Sequence, residues 1–191
     1  MQLIKLDAID STNDFLKELS NKNDLTDFTV VTAEIQTKGK GQMGAIWNSE
    51  PGKNLTMSVL IKDLLFDINE IYKLNIAVAI AIIECLKQQE IPELAIKWPN
   101  DILSANKKIG GILIENSIKS DGSIVSVVGL GLNVNQMNYE HLPKASSLAL
   151  IMNRVFDKEK LLEAIVAQMK ISVQSLQSET LWETYEKLLY K

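Results

Sequence analysis

The chain has 191 residues, 46% of them hydrophobic, and a formal net charge of −4 at pH 7. That length suits one domain with a sizeable core, and the acidic balance disfavours a nucleic-acid-binding protein. The one cysteine, Cys85, and the one histidine, His141, exclude a disulfide within this chain, a structural zinc site and a histidine-based catalytic triad. No apolar run approaches the ~20 residues that span a bilayer. Residues 1–7 read as folded sequence rather than as a leader, so we expect a cytoplasmic protein.

Apolar periodicity and turn residues divide the chain into alternating strands and helices. In chain order they predict a strand at 3–9, a helix at 14–19, strands at 28–33 and 54–62, a helix at 68–89, strands at 93–97, 108–117 and 123–134, and helices at 157–175 and 179–190. This order predicts a single α+β domain in which helices back a mixed β-sheet.

The long loop at 36–53 carries Lys38-Gly39-Lys40-Gly41-Gln42-Met43-Gly44, with Trp47 close behind. Closely spaced glycines let backbone amides approach an anion. Arg154 is the only arginine among the 20 basic residues, so phosphate binding would fall on lysines, amides and Mg²⁺. The spacing matches neither the P-loop nor the dinucleotide fingerprint. A mobile surface loop is the structural alternative, but the length of the loop favours a lid over a ligand.

The segment Lys97-Trp98-Pro99-Asn100-Asp101 places polar groups at the end of a strand, and Lys108 follows seven residues later. Pro99 keeps Trp98 in extended geometry. An Asx-type turn is the structural alternative. If the chain forms a hairpin here, it returns Lys108 to the neighbourhood of Asp101, where the amine could face a phosphate and the carboxylate could hold Mg²⁺.

Two further patterns are weaker signals. Glycines within the strand segment Gly129-Leu130-Gly131-Leu132-Asn133 indicate a bulge or a close backbone approach, and Asn133 could bond a ligand. The segment Ser11-Thr12-Asn13 is typical of a helix cap, and a helix N-terminus can also anchor a small polar ligand.

Taken together and in order, these motifs make the chain resemble the catalytic domain of a biotin protein ligase over roughly residues 3–135. The matching segments are Ser11-Thr12-Asn13, Gln36 with the loop from Gly39 to Gly44 and Trp47, Lys97-Trp98-Pro99-Asn100-Asp101, Lys108-x-x-Gly111-Ile112-Leu113-Ile114-Glu115, and Gly129-x-Gly131-x-Asn133. The Lys-Trp-Pro-Asn-Asp segment is the most specific of them.

The resemblance implies a fold of the class II aminoacyl-tRNA synthetase and biotin ligase type, and an ATP- and Mg²⁺-dependent reaction in two steps. Biotin's carboxylate attacks the α-phosphate of ATP, which gives biotinyl-5′-AMP and pyrophosphate. A lysine of a biotin carboxyl carrier domain then attacks the acyl carbon and releases AMP. The resemblance implies no DNA or membrane partner, and it permits a homodimer.

The family's roles carry over to the matching positions of this chain. Lys108 would be the catalytic lysine, which touches biotin's carboxylate and the α-phosphate. The biotin-binding positions would be Ser11, Thr12, Asn13, Gln36, Gly39, Lys40, Gly41, Gln42, Gly111 and Gly129. The ATP-binding positions would be Trp47, Asn100, Lys108 and Asn133, with Asp101 as the Mg²⁺ ligand.

The chain departs from the family pattern in its loop and at its two ends. Where well-known members read Gly-Arg-Gly-Arg-Arg-Gly-Arg, this chain keeps a cation at Lys40 and has Gln42, Met43 and Ala45 at the other arginine positions. We therefore expect weaker retention of biotinyl-AMP. We also expect one catalytic domain over residues 1–191, with no N-terminal helix-turn-helix, no repressor function and no small C-terminal β-barrel.

Two alternatives stay open at this point. A lipoate–protein ligase or octanoyltransferase would share the fold and the lysine-adenylate chemistry, although the Trp-Pro-Asn-Asp segment and the glycine-lysine loop favour biotin. A catalytically weak biotin- or nucleotide-binding paralogue would act as a sensor.

Overall fold

A computed structural model describes residues 2–62 and 70–191. The elements in chain order are β1 (Leu3–Ile9), α1 (Thr12–Lys22), β2 (Val30–Gln36), a 3-10 turn (Gln42–Gly44), β3 (Leu55–Lys62), α2 (Ile71–Gln88), β4 (Leu94–Lys97), β5 (Asp101–Ser104), β6 (Lys107–Ile118), β7 (Ile124–Leu132), α3 (Leu148–Met152), α4 (Lys158–Val173) and α5 (Thr180–Leu188). The predicted α+β class is confirmed.

The strands form one seven-stranded sheet in the order β1-β2-β3-β7-β6-β5-β4. β1 and β2 run parallel, and the other neighbouring pairs run antiparallel, so the sheet is mixed as predicted. A parallel pair needs a crossover connection, and α1 supplies it between β1 and β2. This crossover lays α1 across one face of the sheet.

Alternating side chains on the central strands separate two apolar layers. Val30 packs with the larger core that contains α2 and α4, whereas its neighbour Val31 packs with Leu16 of α1 on the opposite face. Val127 of β7 and Leu60 of β3 also belong to the α1 layer. Side chains alternate along a strand, so the residues two positions from Leu60 on β3 and from Val127 on β7 also face α1.

α2 is the central helix of the larger core. It is apolar on nearly all sides and packs against the sheet, α4 and α5. Cys85 lies on it as a buried thiol, and burial raises the pKa of this thiol to about 11. Among the described residues, no helix combines the length and the apolar character needed to cross a membrane.

The predicted ends of the elements differ from those in the structure by up to three residues, and two short elements were missed. The helix predicted at 68–89 is described from Ile71 to Gln88, and positions 68 and 69 lie outside the described residues. The strand β5 and the short helix α3 were not predicted. β5 has only two apolar residues between polar ends, and the five residues of α3 are too few to show a helical period.

Shortening a core side chain on α2 should destabilise the whole fold. Ile82 is fully buried there, so Ile82→Ala should lower the free energy of unfolding by about 2–5 kcal/mol, measured by urea denaturation. Ile171→Ala is the matched control, because that isoleucine is 59% exposed on α4 and should change stability by under about 0.5 kcal/mol. Equal losses in the two variants would contradict the layer assignment.

Candidate active site

A cavity of about 170 Å³ opens beside the N-terminus of α1. Thirteen of the residues singled out from the sequence line it: Ser11, Thr12, Asn13, Gln36, Lys40, Gly41, Gln42, Trp47, Asn100, Asp101, Lys108, Gly111 and Gly129. Segments that are far apart in the chain therefore converge on one space.

Three glycines on the central strands form the floor of the cavity. Gly111 on β6 pairs with Gly131 on β7, and Gly129 lies two residues before Gly131. A Cβ atom at Gly131 would overlap the indole of Trp47, and one at Gly129 would overlap the side-chain amide of Asn13. The floor needs glycine because groups from outside the sheet rest directly on its backbone.

The glycine-lysine loop folds into a small hairpin over this floor. The Trp47 amide donates to the Gly39 carbonyl at 2.9 Å, and the Gly41 amide donates to the Ala45 carbonyl at 2.7 Å. Met43 adopts a left-handed conformation, with a φ of 53°, and its side chain is exposed at the tip of the hairpin. This geometry agrees with a lid rather than with an open surface loop.

Two ion pairs join the loop to the β1–α1 region. The Lys40 Nζ lies 2.7 Å from the Asp14 carboxylate, and the Lys38 Nζ lies 2.7 Å from the Asp10 carboxylate. The hydrogen bond to Asp14 raises the pKa of the Lys40 amine above its ordinary value. Lys40 thus brings a cation to the cavity and also holds the loop against α1.

Lys108 and Asp101 meet at the cavity, as the predicted hairpin implied. The Lys108 Nζ lies 2.7 Å from the Asp101 Oδ1 and 5.9 Å from the centroid of the Trp47 ring. Backbone hydrogen bonds fix Lys108 from behind, since its amide donates to the Lys144 carbonyl and its carbonyl accepts from the Ser146 amide. The amine therefore projects from a rigid strand position.

Trp47 carries a buried polar atom without a partner. Its indole Nε1 is buried and has no hydrogen-bond partner in the part of the chain that the structure describes. A buried N–H without a partner is costly, so a bound ligand that accepts from it would gain affinity.

Two residues predicted for the site, Gly39 and Asn133, lie outside the cavity lining. The carbonyl of Gly39 closes the lid hairpin, and its lack of a side chain leaves room for Trp47. The buried Asn133 side chain donates to the Ser146 carbonyl at 3.0 Å, so it fastens the chain after β7. In this structure both residues support the site from behind, and direct ligand contacts from them stay a prediction.

Asn100 lines the cavity with its side chain already bonded. Its Nδ2 donates to the Ile112 carbonyl at 2.9 Å, and its own carbonyl accepts from the Ile112 amide at 3.0 Å. These bonds tie the turn after β4 to β6. The Trp98–Pro99 peptide bond within that turn is cis.

The donor set for a metal ion at the cavity is small. Within residues 2–62 and 70–191, no group of three or more histidine, cysteine, aspartate or glutamate side chains is placed to hold a metal. Asp101 is the carboxylate that lines the cavity. One carboxylate fits Mg²⁺ when substrate phosphates and water supply the other ligands, which is the usual arrangement for this ion.

Sequence reasoning missed several lining residues. Gly131 was visible in its motif, and the two-residue spacing from Gly129 would have assigned both to one face. Ala45, Ile46, Met57, Ile112, Leu113 and Leu130 complete the lining. These side chains are ordinary core or loop types. The lid hairpin brings Ala45 and Ile46 to the cavity, and the strand register brings the other four.

Comparison with known proteins agrees with this geometry. Residues 6–135 match the model of the biotin/lipoate A/B protein ligase family. The chain belongs to this family. The structure is similar to that of the biotin protein ligase from Aquifex aeolicus in complex with biotin and ATP, with a TM-score of 0.80, 28% sequence identity, and coverage of 98% of this chain and 76% of that one.

Curated relatives are longer than this chain. The bifunctional ligase/repressor BirA of Bacillus subtilis is 34% identical over 134 residues, which cover 70% of this chain and 41% of that protein. The biotin–[acetyl-CoA-carboxylase] ligase of Mycobacterium tuberculosis is 28% identical over 167 residues, which cover 85% of this chain and 60% of that protein. The matched part thus spans less than two thirds of either relative.

A side chain at Gly131 should displace Trp47 from the floor. Because a Cβ there overlaps the indole, Gly131→Ala should move the half-buried ring toward solvent and shift its fluorescence emission to longer wavelength. The other two tryptophans, Trp98 and Trp182, are exposed and can be replaced by phenylalanine to isolate the signal. Unchanged Trp47 emission in that background would contradict the close approach.

Proposed function

We propose that this chain is an ATP-dependent biotin protein ligase, which makes biotinyl-5′-AMP and transfers the biotinyl group to a lysine of a carrier domain. The observation that carries the proposal is the convergence of the Lys108 amine, the Asp101 carboxylate and a lid on one cavity. The Aquifex aeolicus protein with the similar fold is described as a complex with biotin and ATP.

The cavity has the two kinds of wall that biotin requires. Its polar end is built by Thr12, Asn13 and Gln36, which suit a cyclic urea, and Met57 and Leu113 add apolar surface for the rest of the molecule. Pockets for small cofactors combine mainly apolar walls with a few fixed polar groups in this way. We place the valeryl carboxylate of biotin toward Lys108.

Lys108 is the residue that we assign to the chemical step. When the carboxylate oxygen of biotin attacks the α-phosphate, negative charge builds on the phosphoryl oxygens while pyrophosphate leaves. A fixed ammonium group stabilises that charge best when few water molecules surround it. Asp101 holds the Lys108 amine in place before the substrates bind, since the two groups are 2.7 Å apart.

Mg²⁺ would be held by Asp101 together with the phosphates of ATP, and when bound it neutralises phosphate charge. Lys108 would then turn from Asp101 toward the substrates. The lid from Gly39 to Trp47 would shield the mixed anhydride from hydrolysis until the carrier lysine arrives. Trp47, as the aromatic part of the lid, is assigned to the nucleotide side.

A lipoate ligase is the nearest alternative, and the polar end of the cavity argues against it. Thr12, Asn13 and Ser58 are buried side chains that form a hydrogen-bonded cluster there. The dithiolane ring of lipoate has no N–H or C=O group, so it would form no hydrogen bond with the polar side chains that line this end of the cavity. We also propose, from the family resemblance, that the protein substrate is a carrier domain, that the setting is cytoplasmic and that the chain forms a homodimer.

Removing the catalytic amine should stop adenylation. Lys108→Ala should lower biotin-dependent exchange of labelled pyrophosphate into ATP by about 100-fold or more. Lys107→Ala is the neighbouring control, because Lys107 is exposed, bonds the Pro143 carbonyl and lies outside the cavity lining. If exchange survives in Lys108→Ala, the assignment of Lys108 is wrong.

Adding a cation to the lid should slow the escape of the intermediate. Gln42 lines the cavity where arginine-loop members carry a charge, so Gln42→Arg should slow dissociation of biotinyl-AMP by about tenfold, measured by stopped-flow. Met43→Arg adds the same charge at an exposed tip position outside the lining and should change the rate by under about threefold. Equal slowing in both variants, or none in Gln42→Arg, would refute the idea.

A further inference from the structure

One polar side chain on the core helix α2 reaches the turn that precedes Asp101. Asn75 is the one polar residue in the apolar run at 74–83. Its Nδ2 donates to the Pro99 carbonyl at 2.6 Å, and both residues are half-buried. Asn100 and Asp101, which follow Pro99, line the cavity. This hydrogen bond therefore joins the core helix to a segment of the site.

The partner of the Asn75 amide fixes its orientation. A carbonyl oxygen only accepts hydrogen bonds, so the amide nitrogen must face Pro99. The amide oxygen, Oδ1, is buried and has no hydrogen-bond partner within residues 2–62 and 70–191. An apolar side chain would avoid the cost of that buried acceptor, but it would leave the Pro99 carbonyl without its donor. Asn75 therefore contributes to the structure through the donor that it offers to Pro99.

The turn after β4 is tied to two elements of the fold. Asn75 ties it to α2 through the Pro99 carbonyl, which is the one backbone group of a proline that can form a hydrogen bond. β6 ties it through Ile112, whose amide donates to the Asn100 carbonyl at 3.0 Å and whose carbonyl accepts from the Asn100 Nδ2 at 2.9 Å. Removing the tie to α2 leaves the turn bound to β6 alone.

The position of Asp101 depends on this turn, because Asp101 follows it directly. The Asp101 Oδ1 lies 2.7 Å from the Lys108 Nζ, and Asp101 is the carboxylate that we assign to Mg²⁺. A shift of the turn would move that carboxylate relative to the Lys108 amine. Displacing a group of an active site by about 1 Å can cost up to about 100-fold in rate, even when the cause lies away from the reacting atoms.

We propose that Asn75 is a positioning residue, which fixes the turn at 98–100 so that Asp101 meets Lys108 and the phosphates of ATP. The inference rests on the proposed function and extends it to a residue outside the cavity lining. Asn75 acts through the Pro99 carbonyl and touches neither substrate. Its loss should therefore impair the use of ATP and leave the binding of biotin unchanged.

The β4–β5 hairpin also provides a matched control. At its other end, the Ser104 Oγ donates to the Pro92 carbonyl, again at 2.6 Å. Ser104 is fully buried and is absent from the cavity lining. Ser104→Ala thus removes a side-chain hydrogen bond to a proline carbonyl from the same hairpin, but at the end away from Asp101.

The first measurement is amide hydrogen exchange in the ligand-free chain. Asn75→Leu removes the donor and loosens the turn, so the Ile112 amide should exchange about fivefold faster than in the wild-type chain. Ser104→Ala should instead speed exchange at the Ala105 amide, which donates to the Glu93 carbonyl at the other end of the hairpin. Unchanged exchange at Ile112 in Asn75→Leu would overturn the inference.

The second measurement is biotin-dependent exchange of labelled pyrophosphate into ATP. Asn75→Leu should lower kcat/KM for ATP in the presence of Mg²⁺ by about tenfold, while the Kd for biotin alone stays within about twofold of wild type. Ser104→Ala should keep both values. An unchanged kcat/KM in Asn75→Leu would overturn the positioning role, and so would an equal loss in Ser104→Ala.

Asn75→Asp replaces Asn75→Leu in both measurements if the leucine variant does not fold, because aspartate has nearly the same size and lacks the donor when ionised. The same outcomes then decide the inference. If the wild-type chain catalyses no pyrophosphate exchange with biotin, the proposed function is wrong and the role of Asn75 fails with it. Normal exchange in the wild-type chain and in the Asn75 variants would refute the role of Asn75 alone.

Discussion

The site depends on how closely other groups approach the backbone of two central strands. Gly129 and Gly131 on β7 have no side chains, so the amide of Asn13 and the indole of Trp47 rest where Cβ atoms would otherwise lie. That constraint fixes the height of α1 and of the lid above the sheet. The cavity is the space between these two groups, and the Lys108 side chain lines it from β6.

Few charged side chains line the cavity. Lys108 and Lys40 are the lysines that line the cavity, and each is already paired with a carboxylate in this structure, Asp101 and Asp14 respectively. A paired lysine is held in place and costs less to order when a phosphate arrives. The lid lacks further cations at Gln42 and Met43, so closure rests more on backbone hydrogen bonds and on Trp47 than on charge.

Much of the site could be predicted because its strongest signals are local. The Ser11 cap, the hairpin that returns Lys108 to Asp101 and the glycine-rich lid all depend on residues close together in the sequence. The short strand β5 could not be predicted, since it has only two apolar residues between polar ends. Its pairing with β6 nevertheless decides where Asp101 lies.

The hydrogen bonds of Ser58 with Thr12 and Asn13 could not be predicted for a different reason. Its neighbour Gly129 lies on a strand far along the chain, and only the register between β3 and β7 brings the two together. From the sequence alone, a serine within an apolar strand is interpreted as a tolerated polar residue, because its pairing partner is not known. Long-range register also decides which residues of β6 and β7 reach the floor of the cavity. The sequence therefore predicted the motifs of the site more completely than the full set of lining residues.

The most direct test of the account asks which adenylate this chain makes. The purified chain is incubated with ATP, Mg²⁺ and equal amounts of biotin and lipoate, and the adenylates are identified by mass spectrometry. The account predicts biotinyl-5′-AMP with little or no lipoyl-AMP. Formation of lipoyl-AMP as the main product, or of no adenylate while biotin still binds, would contradict it.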